Sequence, residues 1–110
     1  MKISFDFDST LSEGFVQSIA SSMQQGNNIF ITTSRSRQYD NADLFQLAKY
    51  LSIPETNIRF TEHEDKYLFL NGFDMHFDDD SYEIDLINRK TKCKGILVGY
   101  KDFSIKRAVV

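Results

Sequence analysis

The chain has 110 residues, 41% of them hydrophobic and 26% charged, which is the size and balance of one ordinary soluble domain around a single core. No apolar run is long enough for a membrane span, Met1-Lys2 leads into a short apolar segment unlike a signal peptide, and the lone Cys93 leaves no internal disulfide or thiol cluster. A cytoplasmic location is expected, and the net charge of −3 is unevenly spread: seven of the thirteen Lys and Arg lie in 86–110, against the single acid Asp102.

The first element is the apolar, aromatic run Ile3-Ser4-Phe5-Asp6-Phe7, a buried strand that ends where aspartates begin. Leu11, Phe15, Val16, Ile19, Ala20 and Met23 then recur at helical spacing, which predicts a helix over roughly 12–25, stopped by Gly26-Asn27-Asn28. Ile29-Phe30-Ile31-Thr32 is a second strand, followed by a polar stretch and a helix with Leu44, Leu47, Ala48 and Leu51 on one face, its start capped by Asp40 or Asn41.

Pro54 precedes a weaker strand at 58–60, and a short helix bearing Tyr67, Leu68 and Leu70 stops at Asn71-Gly72. The run 73–77 is a fourth strand, ending in Asp78-Asp79-Asp80. The last helix starts near Ser81, with Glu83 and Asp85 early and Arg89, Lys90 and Lys92 late, as the helix dipole favours. Ile96-Leu97-Val98-Gly99 is the fifth strand.

Short strands alternating with helices imply right-handed crossovers and a mainly parallel sheet of about five strands covered on both faces. The expected fold is a doubly wound, Rossmann-like three-layer α/β sandwich, one domain over 1–110. Such sheets bind ligands at the carboxyl ends of their strands, near the point where strand order reverses. Asp6, Asp8, Thr33, Lys66, Asp78 and Asp79 all follow strands and collect at that edge. Crowded carboxylates are stable together only with protons or a cation among them, and oxygen donors beside a phosphate site favour Mg²⁺.

These residues carry a resemblance. The segment Ile3 to Leu11, an apolar strand followed by D-x-D-x-T, is similar to the first motif of the haloacid dehalogenase-like superfamily. Ile29 to Arg35 resembles its second motif, Lys66 stands where its third-motif lysine is expected, and MHFDDD resembles its fourth, so the likeness runs from residue 3 to about 99. The resemblance implies a Mg²⁺-dependent phosphohydrolase acting on a phosphomonoester through an aspartyl-phosphate. Asp6 would be the nucleophile and Asp8 the general acid/base, with its main-chain carbonyl on the metal. Thr33 and Lys66 would hold the phosphoryl group, and Asp78 and Asp79 would bind the metal with Asp6 and Asp8. Thr10, Ser34 and Arg35 are the candidate substrate contacts.

Ser9 departs from the glycine usual there, and the third aspartate leaves the fourth-motif register open by one, Asp80 also suiting a helix cap. Arg35 and Arg37 suit an anion or solvent equally, and His76 is read as a satisfied strand histidine. A phospho-accepting receiver domain is disfavoured, because Phe60-Thr61-Glu62 offers no aspartate after the third strand. The alternative from another class is a non-catalytic interaction module that keeps the metal site.

The superfamily's cap has no room here, either after Thr10 or between Phe60 and Phe73, so an open site with a minimal flap is expected. A macromolecular phosphate end, a partner subunit, or a polyanion held by the basic residues 86–107 would then supply the missing walls; the bland reading of those residues is a solvated helix end and tail.

Overall fold

A computed structural model describes residues 1–99 and, as backbone, 104–107. Five strands run parallel: β1 (Lys2–Phe5), β2 (Asn28–Thr33), β3 (Ile58–Phe60), β4 (Met75–Asp78) and β5 (Lys94–Gly99). A sixth, β6 (Ser104–Arg107), pairs antiparallel with β5, and the order across the sheet is β3-β2-β1-β4-β5-β6. The chain therefore steps outward from β1 to β3, returns to lay β4 against the other side of β1, and moves outward again. Strand order reverses between β1 and β4.

Side chains alternate across each strand, so one strand feeds two layers. Ile3, Phe5, Ile29, Ile31, Phe77, Ile96 and Val98 enter one core with Val16 and Ala20 of helix α1 (Gly14–Met23) and Leu44 and Ala48 of helix α2 (Ala42–Tyr50). The rings of Phe5 and Phe77 stack there at 4.7 Å. On the opposite face Phe30 and Leu97 join Leu70, Phe73, Cys93 and the residues Ile84 and Ile87 of helix α3 (Ser81–Lys90). Burial pushes the Cys93 thiol up to about 12, the mark of an inert core cysteine.

Several boundaries differ from the sequence reading, for local reasons. Residues Phe7–Leu11 form an irregular turn with Ser9 in the left-handed region at φ 58°, so α1 starts at Gly14. The fourth strand is shifted to Met75–Asp78, because Phe73 turns away into the second core. Lys66 opens a 3-10 turn (Lys66–Phe69) instead of an α-helix. Asp80 caps α3, accepting from Tyr82 N–H at 2.9 Å, and Asp40 accepts from Ala42 N–H at the start of α2. The basic segment is not wholly a tail: Lys106 and Arg107 lie in β6, paired with Leu97 and Ile96.

Gly95 sits under α3, where an added Cβ would lie 3.2 Å from Asn88 and Ile84. Asn88 bonds both its N–H and its C=O. This close approach locks α3 onto β5. Among the described residues no helix is long and apolar enough to cross a membrane.

Candidate active site

Asp6 is the first residue beyond β1, and its N–H donates to the Phe77 carbonyl at 2.8 Å. Asp78 ends β4, the neighbouring strand, so two acids from distant parts of the sequence meet at the reversal of strand order. Both are buried. Lys66 reaches them from the turn after β3, its Nζ 2.7 Å from Asp6 Oδ1 and 2.6 Å from Asp78 Oδ2. That turn packs on α3, and Lys66 N–H donates to Glu83 Oε1 at 3.4 Å. Glu83, read from sequence only as a dipole-favoured acid, is buried against this loop, which raises its pKa.

Burial and the neighbouring Asp78 push the Asp6 carboxyl well above its ordinary value, more than Lys66 pulls it back. Asp78 goes the other way: burial works against its ionised form, but hydrogen bonds and charge from His76 and Lys66 outweigh it and hold the group down to about 2. Burial also works against the Lys66 ammonium, and the two aspartates overcome it and raise its pKa. Asp79 is raised by desolvation. One carboxylate of the group is firmly ionised while the other two hold protons more readily than usual.

Asp6, Asp78 and Asp79 each offer an oxygen, and these atoms lie within 4.8 Å of one another. Three carboxylates and one ammonium leave a formal excess of two negative charges. An all-oxygen donor set with that deficit fits a hard divalent cation, whereas the absence of sulfur and imidazole donors in the group disfavours a softer one.

The other expected residues take up different positions. Thr10 is fully buried, its hydroxyl 3.1 Å from Asp79 Oδ1 and 3.3 Å from Asp6 Oδ2, so it ties two acids together within the chain. Thr33 is buried and accepts from Arg35 N–H at 3.3 Å, while Ser34 is exposed. Asp8 lies outside the acidic cluster, half exposed and gripped by Arg35 through two bonds of 2.8 and 3.0 Å.

Arg35 uses its remaining donors on Asp43 and Asn41, and its guanidinium lies over the Phe7 ring. Hydrogen bonds to Asp43 and Asp8 raise its pKa, and Asp43 is lowered in return. With all five N–H groups engaged, Arg35 reaches an external anion only by releasing one of these partners. Beside it lies a cleft of about 510 Å³, bordered by Tyr39, Asp43 and Gln46.

A depression of about 590 Å³ lined by Lys2, Asn28 and Asp74 lies at the opposite end of the strands, away from the acids.

His76 is the satisfied strand histidine the sequence reading expected, but that reading missed the buried polar row on the α3 face to which it belongs, with Ser4 and Thr32. Ser4 Oγ is 2.7 Å from Thr32 Oγ1 and 3.0 Å from His76 Nδ1, and His76 Nε2 is 2.9 Å from Asp78 Oδ2. Burial lowers the His76 pKa, with Asp78 offsetting only part. The available signal was polar residues at alternate positions of strands that are otherwise apolar.

Compared with known proteins, the chain matches no protein-family model, no curated protein and no solved structure.

Proposed function

We propose that the chain is a Mg²⁺-dependent phosphohydrolase of the haloacid dehalogenase-like type, capless and doubly wound, acting on a phosphomonoester with Asp6 as nucleophile. The observation that carries this reading is the buried Asp6–Lys66–Asp78 group at the reversal of strand order, with Asp79 alongside and more carboxyl groups than cations among them.

Asp6, Asp78 and Asp79, with the Asp8 carbonyl, would hold the ion, which supplies positive charge to the phosphoryl oxygens. Asp6 attacks phosphorus in line, forming an O–P bond as the leaving oxygen departs, and an aspartyl-phosphate results. Lys66, bonded to Asp6 Oδ1, aims the carboxylate and sits beside the charge that develops on the phosphoryl group. Released from Arg35, Asp8 would take up a proton from solvent, give it to the leaving oxygen and then take one from the water that hydrolyses the intermediate. An incoming phosphoryl anion competes with Asp8 for Arg35, which frees the acid/base group as substrate arrives. The half-exposed Asp8 and the cleft bordering Arg35 suit a leaving group that extends beyond the phosphate, such as a macromolecular end.

The full engagement of Asp8 by Arg35 favours a second reading, a non-catalytic module that keeps the metal site. One experiment separates the two: Mg²⁺-dependent hydrolysis of an aryl phosphate by wild type and Asp6→Asn. The phosphohydrolase reading expects turnover that disappears in the variant. Turnover surviving Asp6→Asn removes the nucleophile assignment, and an inactive wild type that binds Mg²⁺ supports the module.

A further inference from the structure

The row Thr32, Ser4 and His76 is fully buried, and the reaction proposed above uses none of it. It runs across three adjacent strands: Ser4 of β1 is in register with His76 of β4, and Thr32 of β2 lies diagonally beyond. Every buried side-chain polar atom among the described residues has a partner, so the row is a finished network. An apolar row would hold the sheet together as well, since removing both partners of a buried hydrogen bond is nearly neutral. Such a row could not supply a donor to Asp78.

Asp78 needs one. Its Oδ2 accepts from Lys66 Nζ and His76 Nε2, and its Oδ1 accepts from Asp80 N–H at 3.1 Å. A carboxylate has about four acceptor positions, so roughly one is left, on Oδ1. The terminal torsion of an aspartate is soft and does not by itself choose where that position points. Lys66 is a poor orienting group, because its ammonium is shared with Asp6. His76 is a rigid ring buried on every side.

The hydroxyls fix the ring's tautomer. When Nε2–H donates to Asp78, Nδ1 is a bare acceptor, and the Ser4 hydroxyl, at 3.0 Å, is the group placed to donate to it. Thr32 can then donate to Ser4, because a hydroxyl pair works in either direction.

We propose that His76, held in one tautomer by Ser4 and Thr32, is a positioning residue that fixes the Asp78 carboxylate so that its remaining acceptor position serves the divalent cation. This rests on the metal-dependent reading. Loss of such an outer hydrogen bond costs about 10- to 100-fold in metal affinity.

The test is Mn²⁺ binding, measured by calorimetry on wild type, His76→Phe, His76→Asn, His76→Gln and Ser4→Ala, with circular dichroism to verify folding. Gln keeps a donor at the Nε2 position and Asn does not. His76→Phe and His76→Asn should weaken Mn²⁺ by about 10- to 100-fold, with His76→Gln recovering most of the loss. Ser4→Ala, which touches no acid, should weaken binding in the same direction by releasing the tautomer. Should His76→Phe not fold, the Asn and Gln pair decides. Equal affinities in that pair, or His76→Phe within about twofold of wild type, overturn the proposal while leaving the metal site standing. Wild type that binds no Mn²⁺ overturns the metal-dependent reading, and this proposal with it.

Discussion

The two faces of the sheet are made from alternate residues of the same strands, yet they differ in kind. Towards α1 and α2, every inward residue of β1 and β4 is apolar: Ile3, Phe5, Met75 and Phe77. Towards α3 the intervening positions, beyond the exposed Lys2 at the start of β1, are Ser4, His76 and Asp78, all fully buried. One face gains free energy by removing hydrocarbon from water; the other spends part of it on charges whose partners must all be present. The comparison teaches where stability and chemistry are separately held, and each half can be tested.

The largest effect belongs to the apolar face. Phe77→Ala removes a ring stacked on Phe5 and should cost about 3–5 kcal/mol, a large share of a small domain's stability. Urea unfolding should show a lower midpoint at unchanged slope. A loss below ~1 kcal/mol would mean that this face is not where stability resides.

On the polar face the signs differ between groups. Asp78, held at about 2 when folded against an ordinary value near 3.9, contributes stability above that value and loses it as pH falls from about 4 to about 2. The expected loss is about 2–3 kcal/mol. His76, lowered by burial, adds a loss in the same direction that begins as pH falls through its ordinary value near 6.5. Asp6 is opposite: with its folded pKa raised, its contribution is present below its ordinary value and lost as pH rises through the folded one. Thermal melts from pH 2 to 8 should therefore fall off on the acid side, and Asp6→Asn should keep that acid limb while losing the decline towards neutrality.

The smallest effect is the most diagnostic. At neutral pH Asp6→Asn relieves a buried, under-compensated carboxylate and should raise the melting temperature by a few degrees, equivalent to about 1 kcal/mol, while abolishing turnover. A variant less stable than wild type would show that the Lys66 bond outweighs the burial of the charge.

Much of the layout of the candidate site was legible because Asp6, Asp78 and Asp79 fall at or just beyond the ends of their strands, so a local pattern marks a shared edge. Asp6 and Asp78 could be placed together from strand ends alone, and Lys66 from its place in the turn after β3. The Thr32–Ser4–His76 row was not, because it exists only through the register of three strands, and nothing near Ser4 in the sequence names His76 as its partner. Arg35 was read as an anion contact or a solvated charge, since its partner Asp43 belongs to a helix whose docking a sequence does not specify. β6 went unread because two of its four residues are basic, a pattern that sheet edges tolerate and that resembles a solvated tail. Ser9, noted where the resembled family usually has glycine, occupies the left-handed backbone that glycine adopts freely.

The guanidinium of Arg35 has a mechanical meaning as well. Because it holds Asp8 with one edge and Asp43, in the first turn of α2, with another, the orientation of Asp8 is geared to the position of a whole helix. Asp43 also accepts from the Leu44 amide at 2.8 Å, so the gear has a readable dial. A ligand that takes Arg35 away from Asp8 should shift the nuclear resonance of that amide. A substitution that displaces α2 will in turn be felt by a side chain that follows a different strand.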